Sequence, residues 1–177
     1  LVESSTQDLG TGERTLLAII TAEILGLEVK DITTRIGESP LGRSTGSGGS
    51  TTAPGTSPAA LNAAVAARDA LFDKIADRLN AKKDDLVIEA GKVKDKANNK
   101  TWSWKEACAR LGMDVIQASG DWSPGLSNQG VGGVQIAEVL VDTETGVVRC
   151  VKIVAAGGWG HDPHHEGCEA AGGRRLA

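Results

Sequence analysis

The chain has 177 residues, with 19 lysines and arginines against 23 aspartates and glutamates, which gives a formal net charge of −4. This length suits a single domain, and a mildly acidic chain lacks the basic surface that nucleic-acid binding requires. No apolar run reaches the roughly 18 residues of a membrane-spanning helix, so neither nucleic acid nor a membrane is an expected partner.

The cysteine content indicates where the protein resides, and the first residue indicates that the chain is part of a longer protein. Cys108, Cys150 and Cys168 are far apart and form no C-x-x-C pair. An odd, sparse cysteine count fits a reducing compartment, which predicts a cytoplasmic protein. The chain starts at Leu1 and its only methionine is Met113. We therefore expect a piece of a longer protein, so the periplasm stays open as an alternative location.

A strand, a helix and a second strand are predicted first. Residues 1–8 form a short strand, and apolar residues recur with helical spacing over 16–25 before Gly26, which suits a helix end. Residues 29–36 alternate as a strand would. This order predicts a βαβ unit, whose crossover is nearly always right-handed, and an α/β fold class of mixed α+β character.

The next segment is a long loop. Gly, Ser, Thr and Pro fill 17 of the 21 positions in 37–57. Such a loop is either a flexible linker or a functional element. Ser57 followed by Pro58 is typical of a helix start, and apolar positions continue to Leu79. The loop thus joins two core-forming elements, which favours a functional role.

The second half is predicted to contain two hairpins and a short helix. Residues 86–93 suggest a small hairpin, and Ser103 with Glu106 forms a capping-box signal for a helix ending near Leu111. Residues 119–133 are rich in turn formers. The clearest hairpin spans 134–156, and its strands are apolar on both faces, so each face should be covered.

Gly10-Thr11-Gly12, between a strand and a helix, is a candidate anion site. Free backbone amides and the helix dipole favour phosphate at such a position, although many strand-to-helix turns contain glycine without binding anything. The dinucleotide fingerprint would need glycine at Thr15, and no Gly-Lys pair precedes Ser or Thr as a P-loop requires.

The run from Ser47 to Thr52 offers hydroxyls and open amides but no titratable group. It suits a polar ligand held by neutral hydrogen bonds. A serine nucleophile is unattractive because no histidine precedes His161. Residues 161–168 contain metal-ligand types without the spacing of a zinc module, which leaves a small metal-binding or interaction protein as one alternative and a tail with chance histidines as the other.

Three stretches in order, residues 7–12, 46–53 and 133–146, resemble the molybdopterin-binding large subunit of the xanthine dehydrogenase and aldehyde oxidase family. The resemblance covers about residues 3–156. It implies a fragment of a molybdenum hydroxylase, an oxidoreductase that hydroxylates aldehydes, purines or other N-heterocycles. The cofactor would be molybdenum-molybdopterin, in some members as the cytosine dinucleotide. Iron–sulfur clusters and FAD would lie on partner subunits or domains, and the rest of the large subunit would be a further partner.

The resemblance also assigns residues. The expected cofactor-binding residues are Gln7, Gly10, Thr11, Gly12, Ser47, Gly48, Gly49, Ser50, Thr51, Thr52 and Ala53. Thr11 stands where many relatives have glutamine. No residue is assigned to catalysis or to a metal, because the family's catalytic glutamate lies farther along and Glu13 belongs to an earlier motif.

The resemblance divides the chain into a partial molybdopterin-binding domain, 1–156, and an atypical tail, 157–177. We expect this tail to be disordered and to follow from a reading-frame change or a false terminus near residue 157 of a truncated gene. The fragment alone is expected to be inactive. The alternative function is a non-catalytic phosphate- or nucleotide-binding α/β domain, which would share Gly10 to Gly12 but would not need 46–53.

Overall fold

A computed structural model describes residues 1–126 and 132–158, which belong to two compact units divided between Ser127 and Asn128. The first unit contains helices and short strands, and the second contains a hairpin. The helices are α1 (Glu13–Leu25), α2 (Thr52–Leu79) and α3 (Trp104–Ala109). The strands are β1 (Val2–Ser4), β2 (Thr34–Ile36), β3 (Leu86–Glu89), β4 (Lys92–Asp95), β5 (Lys100–Ser103), β6 (Gly132–Val141) and β7 (Val148–Gly158). The predicted mixed α/β class is confirmed.

The predicted βαβ unit is present. β1 and β2 pair in parallel with Val2 opposite Thr34, and α1 connects them. The helix ends at Gly26, whose φ of 58° is left-handed, as glycine allows without steric cost. One detail differs: residues 29–31 form a 3-10 turn rather than the start of the strand. The Asp31 carboxylate accepts a hydrogen bond from the Glu28 amide at 3.2 Å, which stabilises this turn.

α2 starts at Thr52, earlier than the predicted start at Ser57-Pro58, so Pro58 lies inside the helix. The early start follows from two local hydrogen bonds. The Thr51 hydroxyl donates to the Gly48 carbonyl at 2.6 Å, and the Gly55 amide donates to the Thr51 carbonyl at 3.0 Å. Ser57 does not cap the helix, because its hydroxyl donates to the Ala53 carbonyl, one turn earlier, at 2.8 Å.

Two hydrophobic clusters form along α2. The first joins its N-terminal half to the βαβ unit and contains buried Leu17, Ile36 and Ala60. The second surrounds its C-terminal half. Its buried members are Leu71, Phe72, Ile75, Ala76, Leu79, Leu86, Val93 and Ala107. α2 therefore connects the βαβ unit to the elements that follow it in the chain.

A three-stranded antiparallel sheet in the order β3-β4-β5 follows α2. The predicted hairpin is confirmed as β3 and β4, and its turn residues Ala90 and Gly91 both have positive φ, as a tight hairpin turn requires. The third strand was not predicted, because Trp102 is its only large apolar residue. The capping box of Ser103 and Glu106 is confirmed at α3, which ends at Ala109.

The predicted C-terminal hairpin is confirmed as β6 and β7, with one irregularity. Glu138 pairs with Lys152 and Val139 with Cys150, so Val151 is an extra residue, a β-bulge. Side chains alternate across a strand, and this register gathers the charged residues Glu138, Arg149 and Lys152 on one face. The uncharged face contains Gln135, Ala137, Val139, Val141, Val148, Cys150, Ile153 and Ala155. The hairpin thus differs from the expectation of two apolar faces, and its strand residues over 132–157 are exposed.

Several expectations fall outside the described residues. The histidine-rich segment 161–168 and nearly all of the predicted tail 157–177 are among them, although β7 continues to Gly158. Within the described part of the chain, none of the helices combines the length and the apolar character needed to cross a bilayer.

We expect Gly26→Ala to lower the free energy of unfolding by roughly 2–4 kcal/mol, since a left-handed alanine is strained and the core resists added volume. The added Cβ would lie 2.4 Å from Ile88 Cγ2. Gly49→Ala is the control, because Gly49 has a nearly equal φ of 57° but no neighbour among the described residues within 4 Å of the added Cβ. Urea unfolding measures both, and equal losses would contradict the contact between α1 and β3.

Candidate functional site

The Asp8 carboxylate organises the turn before α1. Its Oδ1 accepts hydrogen bonds from the amides of Gly10 at 3.2 Å and Gly12 at 3.1 Å, and its Oδ2 accepts one from the Arg14 amide at 3.3 Å. Gly10 and Gly12 have φ of 94° and 76°, which glycine adopts readily. The glycine amides expected to be free for phosphate therefore bind a carboxylate of the chain itself.

These hydrogen bonds also set the protonation of Asp8. Burial raises its pKa, but the amides of Arg14, Gly12 and Gly10 outweigh that effect, so the pKa lies below its ordinary value. Asp8 is consequently ionised at neutral pH. Its contribution to stability is present above the ordinary pKa of 3.8 and is lost as the pH falls through the lower native value.

Two long-range contacts bring the first predicted segment against the second. The Ser47 amide donates to Gln7 Oε1 at 3.1 Å, and the Ser47 hydroxyl donates to the Gln7 carbonyl at 3.4 Å. Behind them, the buried hydroxyls of Thr56 and Thr6 lie 3.4 Å apart. The structure therefore places residues 7–12 and the loop 46–53 side by side, at the N-terminal ends of α1 and α2.

Most of the predicted residues in these segments lie on the surface. The exposed members are Gln7, Gly10, Thr11, Gly48, Gly49, Ser50 and Thr51, whereas Gly12, Ser47 and Ala53 are half-buried. Thr52 is the exception, since it is only 4% exposed. No atom of the described residues lies within 4 Å of a Cβ added at Gly48 or Gly49. The loop backbone is thus open to close approach by a ligand.

The loop folds back on the first turn of α2. The Thr45 side chain packs directly on Gly55, because a Cβ added there would lie 2.4 Å from Thr45 Oγ1. Thr51 Oγ1 also lies 3.0 Å from the Gly46 carbonyl oxygen. Gly49 and Ser50 adopt positive φ of 57° and 60°, which reverses the chain just before the helix. The loop conformation therefore depends on this first turn.

Glu13, the first residue of α1, has a buried carboxyl group. Its exposed fraction is 0%, and neither oxygen has a hydrogen-bond partner within the described residues. Burial and the nearby charge of Asp8 raise its pKa, and the Thr11 hydroxyl offsets part of this rise without forming a full hydrogen bond. An unsatisfied buried carboxyl group destabilises the native state.

A cleft of about 420 Å³ lies elsewhere on the first unit, between α1, α2 and β3. None of the predicted cofactor-binding residues lines it. Its two lining cations are paired, Arg68 with Asp69 at 2.8 Å and Lys83 with Asp73 at 2.6 Å. Among the described residues, no cluster of His, Cys, Asp and Glu could hold a metal ion.

Sequence reasoning missed the hydrogen bonds of Asp8 and Trp122. Asp8 was detectable, since an aspartate two residues before a glycine often accepts hydrogen bonds from the backbone that follows it. Trp122 was not, because its contact with the Pro54 carbonyl joins positions 68 residues apart.

The fold and the adjoining loops define a domain that presents open backbone and neutral hydroxyls at two helix starts. Residues 1–163 match the family model described as "Molybdopterin cofactor-binding domain". The chain belongs to this family. Among curated proteins, no relative matches the chain.

Three solved structures share the fold. The chain matches Cu,Mo-CO dehydrogenase with a TM-score of 0.79 and 21% identity, covering 95% of this chain and 22% of that one. Reconstituted CO dehydrogenase from Oligotropha carboxidovorans gives 0.72 and 21%, covering 88% and 20%. Quinoline 2-oxidoreductase from Pseudomonas putida 86 gives 0.66 and 23%, covering 86% and 21%. The chain thus spans about a fifth of each matched chain.

Glu13→Gln tests the buried carboxyl group. As the pH rises from the ordinary value of 4.5, the unfolded state releases the Glu13 proton before the native state does. Wild-type stability therefore falls over this window and levels off above the raised native pKa. The variant lacks this fall, so it should be more stable than wild type by about 1 kcal/mol or more near pH 8 and nearly equal to it near pH 4, below the ordinary pKa.

Thermal and urea unfolding across these pH values measure the difference. Glu23→Gln is the matched control, because Glu23 is exposed on the same helix and should give no such divergence. A Glu13→Gln variant whose stability parallels that of wild type at every pH would contradict the account.

Proposed function

We propose that the chain is the cofactor-binding segment of a molybdenum hydroxylase large subunit. The observation that carries this proposal is the pair of hydrogen bonds between Gln7 and Ser47, which joins two segments that are separate in sequence into one exposed polar surface. The family match over residues 1–163 supports molybdopterin as its ligand.

The proposed ligand-contacting residues are the surface members of the two segments. In the loop, Gly48 and Gly49 offer backbone without an obstructing side chain, and Ser50 and Thr51 add exposed hydroxyls. At the other segment, Thr11 is the exposed position between the two glycines. These groups suit a polar, phosphorylated ligand, because neutral donors hold an anion without requiring a counter-charge.

The remaining predicted residues have supporting roles in this proposal. Gln7 and Ser47 hold the two segments together, and Gly10 and Gly12 form the turn around Asp8. Thr52 and Ala53 begin α2, where Thr52 is buried. They position the binding surface, and the exposed residues contact the ligand.

Molybdopterin supplies the dithiolene that holds molybdenum, the metal at which this class of enzyme hydroxylates its substrate. Iron–sulfur and flavin partners, the cytosine dinucleotide form of the cofactor, and an aldehyde or N-heterocyclic substrate belong to the proposal for the complete enzyme. A cytoplasmic location is proposed with them.

The rival proposal, a general phosphate- or nucleotide-binding domain, is disfavoured by the turn itself. The amides of Gly10, Gly12 and Arg14 already bind the Asp8 carboxylate. A phosphate group at this turn would have to displace that carboxylate and would meet its negative charge, so in our proposal the phosphate of the cofactor binds at the loop 46–53, which the rival does not need.

An NMR titration of the isotope-labelled chain with a 6-substituted pterin phosphate tests the proposal. We expect amide shifts confined to residues 7–12 and 47–53, and none with equal concentrations of inorganic phosphate. Shifts at the cleft beside Phe72, or equal responses to both ligands, would contradict the proposal.

Gly48→Val should weaken this binding about tenfold or more, because a branched side chain blocks close approach to the loop backbone. Gly48 does not have positive φ and has open space around it, so stability should change little. Thr101→Val on β5 is a control of similar surface character. Unchanged ligand affinity in Gly48→Val would favour the linker interpretation.

The 177 residues alone should show no aldehyde- or purine-dependent dye reduction when produced in a host that makes the cofactor. The sequence has three cysteines, fewer than the four ligands of a two-iron cluster, so an electron exit is missing. Metal analysis and a dye-reduction assay measure this, and any reproducible turnover would overturn it.

A further inference from the structure

Pro58 leaves a carbonyl group of α2 without its usual partner. In an α-helix, each carbonyl accepts a hydrogen bond from the amide four residues later. Pro58 lies inside α2, and proline has no amide hydrogen. The carbonyl oxygen of Pro54 therefore cannot form this bond. The first turn of α2 is joined to the rest of the helix by one hydrogen bond fewer than a regular helix would have.

The indole of Trp122 supplies the missing donor. Its Nε1 donates to the Pro54 carbonyl oxygen at 3.2 Å. The side chain is otherwise 51% exposed, so the ring is not held in place by burial in either hydrophobic cluster. The hydrogen bond to the Pro54 carbonyl therefore defines where the indole lies.

The segment that carries Trp122, residues 116–123, is fixed along α2 and is called the strap here. Ile116 packs against the cluster at the C-terminal half of α2. Gly120 lies directly on the helix, since a Cβ there would be 2.2 Å from the Ala63 amide nitrogen. The Asn62 side chain donates to the Asp121 carbonyl at 2.8 Å. The strap thus connects the well-packed half of α2 to its first turn.

We propose that Trp122 is a positioning residue for the loop 46–53. The first turn of α2 holds this loop through Thr51, whose hydroxyl binds the Gly48 carbonyl, and through Gly55, on which Thr45 packs. Trp122 fixes the same turn from the strap. This inference rests on the proposed function only where the loop is taken to bind the cofactor.

The contact of Trp122 compensates for the position of Pro58 inside α2. A proline one and a half turns into a helix weakens the turn before it, and here that turn sets the conformation of the candidate binding loop. An external donor restores the lost hydrogen bond while it leaves the loop surface open. Without that donor, we expect the first turn to open locally more often than the rest of α2.

Hydrogen exchange of the full chain tests the inference. The amides of Thr51 and Gly55 are the reporters, because each is hydrogen-bonded to a backbone carbonyl in this region. Trp122→Phe keeps an aromatic ring but removes the donor. It should accelerate exchange at both amides about fivefold, the effect of one lost hydrogen bond, and should leave the amides of α3 unchanged. Trp104→Phe, at a partly buried tryptophan of the C-terminal cluster, is the matched control.

Pro58→Ala separates the hydrogen bond from ring packing. Alanine at 58 gives the helix its own donor to the Pro54 carbonyl, so the indole donor becomes redundant. In the Pro58→Ala background, Trp122→Phe should change exchange at Thr51 and Gly55 less than about twofold. Equal acceleration in both backgrounds would overturn the inference, as would no acceleration in the wild-type background.

Titration with the pterin phosphate keeps the two proposals distinct. Trp122→Phe should weaken ligand binding, and Pro58→Ala should restore it. If the wild-type chain does not bind the pterin phosphate, the proposed function fails, whereas the exchange rates at Thr51 and Gly55 still decide whether Trp122 positions the loop.

Discussion

The packing of α2 determines the arrangement of the first unit. Its N-terminal half shares a buried cluster with Leu17 of α1 and Ile36 of β2, and its C-terminal half contributes Phe72 and Ile75 to the second cluster. Burying these apolar side chains is the main stabilising term available to a chain with few aromatic residues. The candidate binding surface lies where α2 leaves this packed environment, so it combines a rigid base with an open loop.

Local sequence signals predicted local structure well. The glycine that ends α1 and the capping box at Ser103 depend on residues only a few positions apart, and both formed as expected. The start of α2 was misplaced because Ser57-Pro58 has the sequence of a helix start, whereas Thr51 and Gly55 form an earlier turn. Strand β5 is not predicted from its own residues, because Trp102 is its one large apolar side chain. The strand is defined by its pairing with β4 in the folded sheet.

The candidate site likewise combines features that local sequence predicts with features that depend on the folded chain. The two segments could be selected from their resemblance to a known family, but their adjacency depends on contacts such as Gln7 with Ser47, 40 residues apart. The occupation of the turn amides by Asp8 also required the folded geometry. Asp8 and Glu13 show two opposite environments for neighbouring carboxyl groups. Asp8 accepts hydrogen bonds from backbone amides, whereas Glu13 is buried and has no hydrogen-bond partner within the part of the chain that the structure describes.

The bulge at Val151 determines how the two halves of β7 share their faces. Arg149 and Lys152 are three positions apart, and in a regular strand they would lie on opposite faces. Because Val151 is the extra residue, Lys152 lies opposite Glu138 and Cys150 lies opposite Val139, so Arg149 and Lys152 share one face. Loss of Val151 would make the strand regular and keep these pairs, so evolution can remove this residue without exchanging the two faces of the hairpin.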